Sequence, residues 1–211
     1  MADPVSICNM ALAHLGDTAS IATLDAPDNE PQAKMCAIFY PQSVLAVLDM
    51  HDWSFAAKRR SLTELADEDS YEWLHVFQIP SDCLHVISLR EARARNPYGL
   101  PQNFAFGGDL LFSSVTFSVI GDRLYTDVEV PELFYISSET KPNRFSPAFV
   151  TALSYYLASL VAGARIKGKE GAQLAQNMQQ EFAKALSIAK TRDAFQRKDA
   201  IRYTPTWIQR R

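Results

Sequence analysis

Apolar residues in this 211-residue chain change their period twice, and that double switch limits the folds open to it. Ile7, Met10, Ala11 and Leu15 recur at spacings of three and four, the period of one helix face. From about residue 54 to residue 140 the period falls to two, as in a strand. After Ser146 the helical spacing returns, with Phe149, Leu153, Tyr156, Leu157, Leu160 and Ala164. Helix, then strand, then helix calls for two kinds of layer. The expectation is an α+β fold: a four-helix bundle-like body from 1–53 and 145–199, with an inserted small antiparallel β-domain at 54–144. Residues 200–211 would form an extended C-terminal arm.

Local signals place the element ends. Asp3-Pro4 opens a first helix with a capping residue and a proline whose missing N–H costs nothing there, and Gly16 stops it. A second helix is predicted from about Pro31 to about Met50. Met35, Ile38, Phe39, Leu45 and Leu48 lie on its apolar face, and Pro41 is expected to kink it. Trp53-Ser-Phe55 then forms an aromatic anchor, from which Trp53, Phe55 and Ala57 alternate with Ser54, Ala56 and Lys58. Strands are predicted at Val76–Ile79, Cys83–Leu89 and Leu133–Ile136. Hairpins are predicted at Gly107-Gly108 and at Gly121-Asp122. Ser146-Pro147 restarts the helices, Gly168 and Gly171 break them, and a last helix runs from Ala172 to about Lys198. Its inward stripe would be Leu174, Met178, Phe182, Leu186, Ala189 and Ala194.

With 47% hydrophobic and 21% charged residues the chain can fill a core, which excludes disordered and fibrous classes. The three cysteines, Cys8, Cys36 and Cys83, are too few and too scattered for a disulfide framework and read as reduced thiols made in a cytosol. Met1-Ala-Asp-Pro4 has neither a basic start nor an apolar run, so no export signal is expected. Phe149 to Ile166, the richest apolar stretch, is interrupted by Thr151, Ser154, Ser159 and Arg165, so no membrane partner is expected. The net charge of −3 is unevenly spread. Lys184 to Arg211 carries +6, which leaves −9 on residues 1–183.

Three blocks stand out together by their order and spacing. The first is Cys8-Asn-Met-Ala-Leu12-Ala-His-Leu15-Gly16-Asp with Ile21-Ala-Thr-Leu24-Asp25 behind it. The second runs from Phe39-Tyr40-Pro41 through Leu45 to Trp53-Ser-Phe55-Ala and Arg60-Ser-Leu62. The third is Phe145-Ser-Pro147-Ala-Phe149-Val, followed by Leu157-Ala158 and Leu160-Val-Ala162. With Ile79-Pro80-Ser-Asp82-Cys83-Leu84 they span most of residues 5–190, and their order and spacing carry a resemblance to the tail tubular protein A family, the head-to-tail adaptors of short-tailed, podovirus-type bacteriophages. It implies a virion structural protein without enzyme activity or cofactor, forming a ring of about twelve copies on the portal protein. Such a ring would continue the channel for double-stranded DNA, without binding it specifically, and present a docking surface for the downstream nozzle protein of the tail.

Candidate sites follow from residue type. In the tail, Arg202, Tyr203, Trp207, Ile208, Arg210 and Arg211 combine the residues that dominate interface hot spots, so a portal-gripping role is expected for them. Phe104, Phe106 and Phe112, with the loop arginines Arg93 and Arg95, are expected at a subunit or tail-protein interface. Cys83, His85 and nearby His75 lack a fourth ligand at zinc spacing and read as structural. Gly107-Gly108-Asp109 lacks the lysine and helix of a phosphate loop and reads as a turn. An alternative reading is a nucleic-acid-binding module using the basic C-terminal helix and tail, which a steep salt dependence would reveal.

Overall fold

The computed structural model describes residues 2–17, 20–24, 31–65, 71–91, 115–166 and 168–196. Among these residues it is a mixed α+β structure of four α-helices and two three-stranded antiparallel sheets.

Helix α1 spans Pro4–His14. The Asp3 N–H donates to Ser6 Oγ (3.1 Å), while the Ser6 hydroxyl donates to the Asp3 carbonyl (2.7 Å). Gly16, at φ 74°, ends the helix and lets the Asp17 N–H return to the Leu12 carbonyl (3.1 Å). Helix α2 spans Pro31–Asp49 and runs on through Pro41, which lies on its exposed side. Helix α3 spans Pro147–Arg165, and the Ser146 side chain accepts the Phe149 N–H (3.2 Å) as the sequence suggests. Helix α4 spans Lys169–Ala194. At about 1.5 Å per residue it is roughly 40 Å long.

Helix α3 is central, with α1, α2 and α4 all packed on it. It is buried more widely than the predicted stripe. Ala152, Ala158, Val161 and Ala162 are inside, whereas Leu160 is only half-buried and Ala164 is exposed. A helix surrounded by neighbours buries more than one face. By length and composition α3 could cross a membrane, but half of that stretch is buried in this fold.

Between α2 and α3 run β1 (Ala57–Ser61), β2 (His75–Gln78), β3 (Cys83–Glu91), β4 (Phe117–Ile120), β5 (Arg123–Thr126) and β6 (Pro131–Ser137). Where one small sheet was expected there are two. Sheet A has the order β1-β6-β3 and sheet B the order β2-β5-β4. The predicted hairpin is present, with Gly121 at φ 63° and Asp122 joining β4 to β5. After β1 the chain passes directly to sheet B, where Glu64 bridges Phe77.

Sheet A is the middle layer, with residues in a core on each face, and two irregularities in β3 set which of its side chains enter which core. Register shifts between Cys83 and His85 and between Val86 and Ser88 space Cys83, Val86 and Leu89 three apart. All three join Leu133 and Tyr135 of β6 and Phe77 and Leu124 of sheet B in one core. Leu84 and Ile87 point the other way, with Ile136, into the core shared with the helices. An extra residue in one strand re-aims the side chains after it, so strict alternation fails here.

Alternation also fails at the entry. Residues 54–56 form a turn, closed by the Ala56 N–H on the Trp53 carbonyl (3.1 Å), so Trp53 and Ala56 are both buried. Gly171 lies inside the first turn of α4 instead of breaking the helices. Gly168, at φ 91°, makes the break. A Cβ at Gly171 would overlap the Ile166 carbonyl oxygen, so glycine is there for close approach.

Candidate functional site

The corner between α2 and β1 gathers several side-chain bonds between distant segments. Trp53 is fully buried, and its indole N–H donates to the Val47 carbonyl (2.9 Å). Its ring meets Phe149 edge-on with 4.9 Å between centroids, and Phe55 and Phe145 complete the cluster. Aromatic pairs at such spacings add to burial energy and fix the angle of the turn.

Asp193, near the end of α4, is buried against this corner. Its carboxylate accepts the Ser54 N–H (3.0 and 3.1 Å) and the Ser54 hydroxyl (2.6 Å), with His51 Nε2 at 3.5 Å. Ser54 Oγ also lies 2.9 Å from Gln196 Oε1. These residue types suggest a hydrolase triad, but the order is wrong. The carboxylate stands between serine and histidine, so Ser54 Oγ is bonded to a carboxylate and not to an imidazole base. The arrangement fastens the last turn of α4 to the helix–sheet corner.

A second hub ties sheet A together. Asp82 is buried and accepts Lys58 Nζ (2.6 Å), the Ser137 hydroxyl (2.8 Å) and the Tyr135 hydroxyl (3.0 Å). Burial pushes its carboxyl up, but the bonds from Lys58, Ser137 and Tyr135 outweigh that and hold it near about 2. Tyr135 is pushed up to about 12 by burial and by its bond to Asp82. Cys83 is raised to about 11 by burial and the Asp82 carboxylate. It is therefore a thiol at neutral pH, a weaker nucleophile than the thiolate. Cys8 and Cys36 are fully buried between α1 and α2. The hydrogen bond to Cys36, and then burial, push the Cys8 thiol far up.

Three histidines bridge elements through carboxylates. His85 lies 2.9 Å from Asp52 and 3.3 Å from Asp49, linking β3 to the end of α2. His75 pairs with Glu64 (2.6 Å). His51 reaches Asp193. The fourth, His14, stacks on Tyr155 at 4.0 Å and contacts Ser154 Oγ (3.1 Å), and burial lowers its pKa. Cys83 and His85 do not share a strand face, because the bulge between them turns Cys83 toward sheet B. His75 is on the other sheet. Among the described residues no three His, Cys, Asp or Glu side chains are grouped to hold a metal ion.

The interface residues expected from the sequence (Arg93, Arg95, Phe104, Phe106, Phe112, Arg202, Tyr203, Trp207, Ile208, Arg210 and Arg211) lie outside the described residues, as does the predicted hairpin at Gly107-Gly108. Sequence reasoning missed Asp193 and placed Ala194 inward. The structure exposes Ala194 and buries Asp193, in phase with Phe182 and Ala189. A charged residue at the i+4 position of an apolar stripe was the available signal. Asp82 had no comparable signal, since its partners come from β1 and β6. No protein-family model matches the sequence, and no curated protein gives a significant match to it.

Proposed function

We propose that the chain is a structural subunit of a short-tailed phage virion, the head-to-tail adaptor that joins the portal to the tail tube. The observation that carries this reading is how the three sequence blocks resembling the adaptor family meet in space. Cys8, Leu12 and Ile21 of the first pack with Phe39 of the second and Leu157 and Val161 of the third. Trp53 and Phe55 of the second pack with Phe145 and Phe149 of the third. Residues separated by more than a hundred positions thus form shared cores around α3, so the blocks act as one folding unit. The polar hubs support a structural role as well, because each binds elements of the same chain together.

On this reading the four helices form a bundle-like body, and residues 200–211 form an arm that grips the portal through Arg202, Tyr203, Trp207, Ile208, Arg210 and Arg211. Arg93, Arg95, Phe104, Phe106 and Phe112 face a neighbouring subunit or the nozzle protein. The ring assembles in the host cytoplasm on the portal and becomes part of the virion neck. Its work is geometric, with many modest contacts summed by symmetry to hold a DNA channel open.

The test is to mix the purified chain with the portal protein of its phage and image the product by electron microscopy. A symmetric ring capping the narrow end of the portal is expected, and deleting 200–211 should abolish it without changing the melting transition. Unbound monomer beside bare portal, with both folded, would reject the reading. Binding to duplex DNA that weakens steeply with salt would favour the nucleic-acid alternative, for which Lys184, Lys190 and Arg192 on α4 supply basic charge.

A further inference from the structure

Helices α2 and α4 both pack on α3, and each turns an apolar pair outward. On α2 the pair is Ile38 and Leu45, 66% and 41% exposed. On α4 and its C-cap it is Ile188 and Phe195, 55% and 79% exposed. Both pairs are seven residues apart, so each lies on one helix face with its members about 10 Å apart. The inward face of α4 is spent on the fold, with Phe182, Ala189 and Asp193 buried. The outward pairs have no such use among the described residues.

We infer that these two faces are the complementary halves of one contact between copies of this chain, α2 of one copy lying antiparallel against α4 of the next. Charge decides the direction. In the antiparallel register Leu45 meets Ile188 and Ile38 meets Phe195. One turn beyond Leu45 on α2, and one turn before Ile188 on α4, Asp49 meets Lys184. A parallel pairing would instead set Lys34 against Lys184, two like charges. Lys184 touches Glu181 in its own helix (2.7 Å), and Asp49 lies near His85 (3.3 Å). Lys184 and Asp49 are both well over half exposed, so their present contacts exchange at little cost. The two halves are different surfaces, so the contact is head-to-tail and propagates into a ring or a filament instead of stopping at a dimer. This inference rests on the adaptor reading only for closure into a ring. The contact itself stands on the two faces.

The test is a double variant, Ile38→Cys with Phe195→Cys, oxidised mildly at high protein concentration and run on a non-reducing gel. A ladder of multimers is expected from the double variant. Each single variant should stay monomeric, since like faces do not meet. By sedimentation, Phe195→Asp should weaken self-association by at least about tenfold. Asp49→Lys or Lys184→Glu alone should weaken it by about threefold, and combining them should restore it. All four positions are exposed, so unchanged melting of each variant is the control for folding. Rings or oligomers that form normally in Phe195→Asp and give no cross-linked ladder would overturn the contact while leaving the adaptor reading standing. A ladder without portal binding would support the contact and sink the adaptor reading. No self-association at all, alone or on the portal, would overturn both.

Discussion

Replacing Asp82 with alanine removes the acceptor for two buried hydroxyls, Tyr135 and Ser137, and for the Lys58 ammonium. Leaving a buried hydroxyl unpartnered costs about 1–3 kcal/mol. Lys58 is 43% exposed at its side chain, so water recovers most of what its ammonium loses. The loss at neutral pH should be about 3–5 kcal/mol. Part of this is tied to charge. The carboxyl is held down from 3.8 to about 2 in the folded state, and that shift is worth about 2 kcal/mol. A carboxyl whose folded pKa lies below its unfolded one stabilises above the unfolded pKa and loses that contribution as pH falls through the folded one. The contribution is therefore full above about pH 5 and gone by about pH 1. Urea unfolding of wild type and Asp82→Ala, followed by circular dichroism at several pH values, isolates it, because other carboxylates titrate alike in both proteins. The gap should narrow by about 2 kcal/mol from pH 6 to pH 2. Asp82→Asn keeps an acceptor but no charge, and should lose little beyond that pH-dependent part. A gap that is the same across this window, or below about 1 kcal/mol at pH 7, would refute the argument.

Asp193→Ala should destabilise by about 2–3 kcal/mol in urea and speed exchange of the Ser54 amide. Protection of that amide at the wild-type level would show that the corner holds without the carboxylate. Gly171→Ala should cost at least about 2 kcal/mol, because the new Cβ overlaps the Ile166 carbonyl oxygen. A thermal melt identical to wild type would contradict that close approach. Tyr40→Phe should be neutral, or stabilising by up to about 1 kcal/mol, because the Tyr40 hydroxyl is buried with no partner among the described residues. A lower melting temperature would reveal a bond to that hydroxyl.

What the sequence by itself determined is whatever depends on neighbours along the chain. Asp3-Pro4, Gly16, Ser146-Pro147 and Gly168 mark helix ends because capping and positive φ are set within a few residues. Gly121-Asp122 closes a hairpin for the same reason, and Pro80 bounds β2. The aromatic step at Trp53 was legible as an anchor, though its partner Val47 was not. Tertiary structure decided what depends on which surface comes to lie opposite. The strands between α2 and α3 lie in two sheets, with sheet A packed on both faces, and two bulges in β3 set which of its side chains enter which core; no local pattern encodes a bulge of this kind. Period alone pointed to an inward stripe on α4 ending in alanine. Burying Asp193 became favourable only because the fold brings the Ser54 N–H and hydroxyl, one hundred and thirty-nine residues away, within reach of its carboxylate.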